Sequence, residues 1–307
     1  SVTVNVGDYV EYTGSTNGVV AAKATDVTLN VNSSLNAATT PTQQTQFNDQ
    51  LDVAKATSVT INSQGNTTLT TGSDLDAAQV VTIVADNAVD LATGTVSLDA
   101  AANTTVSGAE KTSSVKLDTV GLATTDYDVT VNATGLKAGF TVGNINSKQN
   151  ATVNLTGTTG NVVLGTIDAA NVTLNAASLA GILSNTIGDT TTASGPIGAI
   201  NSTTANTGAA VIDVSSSAKA MELGAIGTTT AFKTVSVNAS GESAAVKAGA
   251  ITAQDSVEVD FSNNLKTSEV GVVTAKAVTI DAGSALGAVT IGTAALGDDI
   301  VVTDSLT

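Results

Sequence analysis

The chain has 307 residues, a formal net charge of −16 and 11 basic residues, all lysine; it contains no Cys, His or Trp. Without His or Cys, neither a Ser-His-Asp nor a Cys-His nucleophile can be assembled, and thiolate metal sites and disulfides are excluded. The acidity and the missing arginine argue against a nucleic-acid partner, and no apolar run is long enough to cross a bilayer.

Hydrophobic residues make up 42% of the chain but aromatic ones only 2%. Such a composition can fold, yet it predicts a thin core of small aliphatic side chains. The first predicted element, "SVTVNV" from Ser1, alternates apolar and polar residues as a half-buried strand does. No basic and apolar leader precedes it, so the sequence reads as a piece of something larger.

"VAAKATDVTLN" from Val20 and "DVAKATSVTIN" from Asp52 are near copies of one another, and "VVTAKAVTID" from Val272 repeats them close to the other end. Between the first two, residues 32–50 carry Pro41 and read as an excursion. Strands of the same type are expected at Val80–Val84, Val96–Asp99, Val115–Asp118 and Val129–Asn132. Farther on, "FTVGNI" from Phe140 precedes "ATVNLTG", and "VVLGTI" from Val162 precedes "NVTLNA". A second excursion, with Pro196, is expected over residues 177–209, after which "MELGAI" from Met221 precedes "TVSVNA".

In the last third the central residues Val235, Val257, Val278 and Ile300 are separated by 22, 21 and 22 residues. A smaller strand lies in each interval, within "AAVKAGAIT", "EVGVVTA" and "AVTIGTA". Several of the smaller strands share a Gly followed two places later by Ile, as a bend against a neighbouring coil requires.

A period of 20–22 residues with two short strands per coil predicts an all-β fold, one elongated parallel β-solenoid or β-helix over residues 1–307. Roughly eleven coils about 4.8 Å apart would give a rod on the order of 50 Å long. The competing architecture, tandem β-sandwich domains, normally carries more aromatic core residues and less even spacing.

Chemistry is sparse. Glu258 and Asp260 share a strand face and are the nearest approach to a glycosidase carboxylate pair, although same-face acids are usually a solvated stripe. Calcium is the candidate cofactor. Its candidate ligands are Asp74 and Asp76 in "TGSDLDA", Asp126 and Asp128 in "TTDYDV", and Asp298, Asp299 and Asp304 in "GDDIVVTD", because alternate acids around a turn offer oxygen ligands to a hard cation. The chain contains no Gly-Gly pair, so the calcium-roll repeat is absent.

The Thr-, Ala-, Val-, Asn- and Gly-rich repeats such as "VTLNAAS" and "VTIDAGS", the low isoelectric point and the missing Cys resemble bacterial surface-layer (surface-array) proteins of the type I-secreted, Gram-negative kind. The resemblance spans the chain. It implies a solenoid that builds a crystalline lattice, calcium bridging subunits, and a separate region that anchors to lipopolysaccharide. The expectation is therefore a secreted, non-enzymatic, self-assembling S-layer protein at the bacterial cell surface. Its partners would be copies of itself and cell-surface polysaccharide, with no nucleic acid and no transmembrane segment. An adhesin or autotransporter-like passenger rod is the alternative, and a polysaccharide-processing β-helix enzyme the third reading.

Overall fold

Strands with one apolar face bury it only when another coil lies above and below, and the computed structural model shows that stacking. It describes residues 1–7, 11–13, 18–31, 46–70, 73–85, 90–92, 98, 100, 102–107, 114–122, 124, 126–137, 139–184, 187–189, 192–193, 197–292 and 294–303. Among these there is no helix. Thirteen parallel strands form the first face of a β-solenoid and a fourteen-stranded sheet forms the rest of its wall. Thirteen layers give a stack on the order of 60 Å.

The registers place Ala210, Val235, Val257, Val278 and Ile300 in one continuous column along the first face. Val235, Val257 and Val278 are each only 1% exposed. Two residues farther along the strand runs a second column, Val131, Val153, Leu174, Ile212, Val237, Val259 and Ile280. Opposite them the second face contributes Phe140, Val162, Leu183, Met221 and Val246. All four Phe of the chain are buried. The interior has room for single rings between the faces.

Seven successive first-face strands, from Val129–Asn132 to Val273–Asp281, end in Asn or Asp, where the chain must turn. The side-chain Oδ1 accepts a hydrogen bond from the backbone N–H two residues on: Ser215 to Asp213 (3.0 Å), Ser240 to Asn238 (3.2 Å), Ser262 to Asp260 (2.8 Å) and Gly283 to Asp281 (2.8 Å). The residue after that N–H is left-handed in coil after coil, at Gly135, Gly157, Ser178, Ser216, Gly241, Asn263 and Ser284. The repeated words "VTLNAAS" and "VTIDAGS" are thus a strand and its corner.

The expected two strands per coil are joined by a third, shorter parallel contact. Ile145 pairs with Ile167, Ile167 with Ile200, Ile200 with Ile226, Ile226 with Ile251, and Ile251 with Val273. Each coil is therefore three-sided. Two residues before each member stands a glycine, and these stack on one another where the second face bends into the third side. A Cβ built on Gly165 would lie 1.3 Å from the carbonyl oxygen of Gly143. The Gly-x-Ile pattern is a contact between backbones that leaves no space for a side chain.

Two assignments change. Val115–Asp118 lies within Ser114–Val120, which belongs to the second face. Of Val96–Asp99 only Leu98 is described, and it bridges Val120 on the third side. The first-face strand of that coil is Asn103–Ser107. Alternation of period two is the same on every side, so the pattern alone does not say to which side a strand belongs.

The excursions are shorter than the sequence suggests. Residues 32–45 lie outside the described residues, while Gln46–Asp49 is a second-face strand whose Phe47 is 1% exposed. Within 177–209, Leu183–Ser184 stays in the second face and Ile200–Asn201 in the third side. Among the described residues, an antiparallel pair, Ile187–Asp189 with Thr192–Ala193, forms a two-stranded sheet apart from the stacked ones.

Gly165→Ala is expected to lower unfolding free energy by about 3 kcal/mol or more, since backbone must move. Gly135→Ala, where nothing lies within 4 Å of the new methyl, costs only about 1–2 kcal/mol for its left-handed φ of 65°. Thr104, whose buried hydroxyl has no hydrogen-bond partner, occupies the column that holds Val81 and Val131 in the adjoining coils. Thr104→Val should stabilise the fold by about 1 kcal/mol. Urea unfolding of the three variants measures all of these values.

Candidate functional surfaces

Beyond six of the seven left-handed corner residues the chain points a side chain inward. The layers supply Leu136, Thr158, Leu179, Ser217, Glu242 and Asn264 in turn, all fully buried. The corners are tied by backbone bonds, Ser243 N–H to Ser217 O (3.2 Å) and Leu265 N–H to Glu242 O (2.9 Å). The column begins apolar and becomes polar. Asn264 accepts from the backbone N–H of Glu242 at 2.8 Å and donates to Ser268 Oγ at 2.8 Å, while Ser217 Oγ donates to Val214 O at 2.8 Å. These three partners are satisfied.

Glu242 is not. Neither carboxylate oxygen meets hydrogen-bond geometry with any partner. Burial pushes its pKa up to about 8; the backbone N–H of Ser217 opposes this and the charge of Asp213 adds to it. At neutral pH the group is a neutral acid inside the rod. One signal in the sequence marks it: an acid stands at the corner position that Leu136 and Leu179 fill in other coils.

The expected calcium ligands are placed as follows. Asp74 bridges Asp52 on the third side, and its Oδ1 accepts the backbone N–H of Asp76 at 3.1 Å. Burial, with the charge of Asp74 second, raises the Asp76 pKa. Asp126 pairs with Lys148 at 2.6 Å, and Asp128 accepts from Asn150 at 2.7 Å. Asp298 and Asp299 lie in the strand Ala294–Thr303, and Asp304 lies outside the described residues. Among the described residues no three acidic side chains are grouped to hold a metal ion.

Glu258 and Asp260 stand on the outer side of the first face. Glu258 is stacked between Ser236 and Thr279, and Asp260 between Asn238 and Asp281, where its carboxylate forms the corner described above.

Two charged stripes run along the rod. Down the middle of the second face, Glu222, Lys247 and Glu269 occupy successive layers, with Lys247 3.4 Å from Glu269. At the corner where the third side returns to the first face, Asp255 lies 2.9 Å from Lys276 and 3.9 Å from Lys233. The Lys276 hydrogen bond, ahead of the lysine charges, holds the exposed Asp255 carboxyl below the usual range. The second-face stripe borders a shallow concavity of about 320 Å³ floored by Gly249, Gly271 and Gly292.

Comparison of the chain with protein-family models, with curated proteins and with solved structures finds no match.

Glu242 binds its proton more tightly when folded than when unfolded, so its contribution to stability declines as pH rises from about 4.5 towards 8. Glu242→Gln is expected to change stability little at pH 4 and to raise it by about 2–4 kcal/mol at pH 8. Denaturant titrations of both proteins across that range test the difference.

Proposed function

We propose that this chain is a structural, non-enzymatic rod that self-associates as part of a bacterial surface layer outside the cell. The observation that carries the reading is the outer side of the first face. One outward position is Thr3, Thr28, Thr60, Thr82 and Thr105 in the early layers, Asn132, Asn154 and Asn175 in the middle, and Asp213, Asn238, Asp260 and Asp281 later. Amides in this and the neighbouring column bond from layer to layer: Asn154 donates to Asn132 at 2.7 Å, Asn62 to Asn30 at 2.8 Å and Asn30 to Asn5 at 2.7 Å.

A surface of this kind is flat, polar and already ordered, so docking against it immobilises few additional side chains. Flat repeating contact suits a lattice better than it suits a small-molecule pocket. In this reading, exposed acids such as Asp76 provide places for calcium between copies, and attachment to lipopolysaccharide belongs to a separate region. The antiparallel pair Ile187–Asp189 with Thr192–Ala193, standing outside the stack, favours a second reading as an adhesin rod that displays a loop.

Electron microscopy of the purified chain at rising concentration separates the two. Ordered sheets or rows support the surface-layer reading, and their loss in a chelator supports calcium bridging. Rods that remain single at every concentration point to the adhesin.

A further inference from the structure

The two charged stripes have opposite signs in each of three successive coils. The coil that puts Glu222 on the second face puts Lys233 at the far corner; the next pairs Lys247 with Asp255, and the third pairs Glu269 with Lys276. In a three-sided coil the corner between the third side and the first face lies across from the second face. The stripes therefore face away from each other, on opposite flanks of the rod.

We infer that parallel copies of this chain pack side by side in register, the Lys233–Asp255–Lys276 corner of one copy against the Glu222–Lys247–Glu269 stripe of the next. A simple sideways translation brings plus against minus in all three layers. A shift by one coil would bring like charges together, so the pattern also fixes the register. The shape agrees. The corner is a ridge, and the receiving stripe borders the concavity lined by Gly249, Gly271 and Gly292.

These groups are accessible for such a contact: Lys233, Lys247 and Lys276 are 58%, 54% and 68% exposed, and Asp255 and Glu269 are 36% and 42%. The two surfaces are different patches of one molecule, so the contact is head-to-tail across the rods and does not close; it propagates into an open row. This inference rests on the self-associating reading and adds a second contact, distinct from the polar outer side of the first face. Surface ion pairs are individually weak, so the row depends on three layers acting together and on low ionic strength.

Charge reversal tests it. Asp255→Lys alone and Lys247→Glu alone each set like charges against one another in the middle layer, and each should raise the concentration needed for assembly about tenfold or more. Mixing the two single variants, or combining both changes in one chain, restores opposite signs and should return that concentration to within about threefold of the unchanged protein. Sedimentation and electron microscopy report assembly, and circular dichroism with thermal unfolding checks that the exposed substitutions leave the fold intact. Assembly of the unchanged chain should also fall as sodium chloride rises to about 0.5 M. If the unchanged chain assembles and the single variants assemble equally well, or if the mixture fails to recover, this contact is wrong while self-association stands. If the unchanged chain never assembles, the self-associating reading falls with it.

Discussion

Parallel stacking is the constraint on which this molecule depends. A strand in one coil has its backbone N–H and C=O groups satisfied by the coils on either side, and its apolar side chains are covered by their own counterparts one layer away. An interior residue is therefore tested mainly against the residue at the same position in the adjoining coil, 21 or 22 places along the chain where the coil is regular and 25 to 33 where it carries extra residues. Val235, Val257 and Val278 satisfy that test as a column, and Ile167, Ile200, Ile226 and Ile251 do so on the third side. The interior that results is narrow, which is why a chain with so few aromatic residues can fill it.

The corners are under stricter control than the sides. At one, an Asn or Asp closes the strand, a residue enters the left-handed region, and the following side chain returns to the interior. At another, glycines approach so closely that one coil's carbonyl occupies the place of the next coil's side chain. Ser178, Ser216, Asn263 and Ser284 adopt positive φ without being glycine, at a cost that the paired coils on either side sustain. Each corner thus trades local strain for uninterrupted stacking on both flanking sides.

Inside and outside obey different electrostatic rules. Outward charges alternate along the rod, as Lys233, Asp255 and Lys276 do, and neighbouring layers attract. Inward, burial desolvates the Glu242 carboxylate and pushes its pKa up to about 8, against the opposing backbone N–H of Ser217. The same stacking that puts a lysine beside a carboxylate on the surface isolates a carboxyl in the interior. The proposed contact between rods continues the outer pattern into a second dimension.

The sequence by itself determined the repeat, its period and the parallel β-solenoid, because columns of like residues are a one-dimensional signal: "VTLNAAS" and "VTIDAGS" recur where strand and corner recur. It also carried the Gly-x-Ile bend. It did not separate the sides of the coil, since alternation looks the same on each: Val115–Asp118 reads as a first-face strand yet lies in the second face. Nor did it bound the excursions, because Phe47 and Leu183 rejoin the stack inside stretches rich in polar residues. Only the tertiary structure decided that the coil has three sides, that Glu242 points inward, and that the stripes of opposite sign lie on opposite flanks. Those facts depend on which direction each residue faces after the chain has turned its corners, and that direction is set by contacts between layers, not by spacing along the chain.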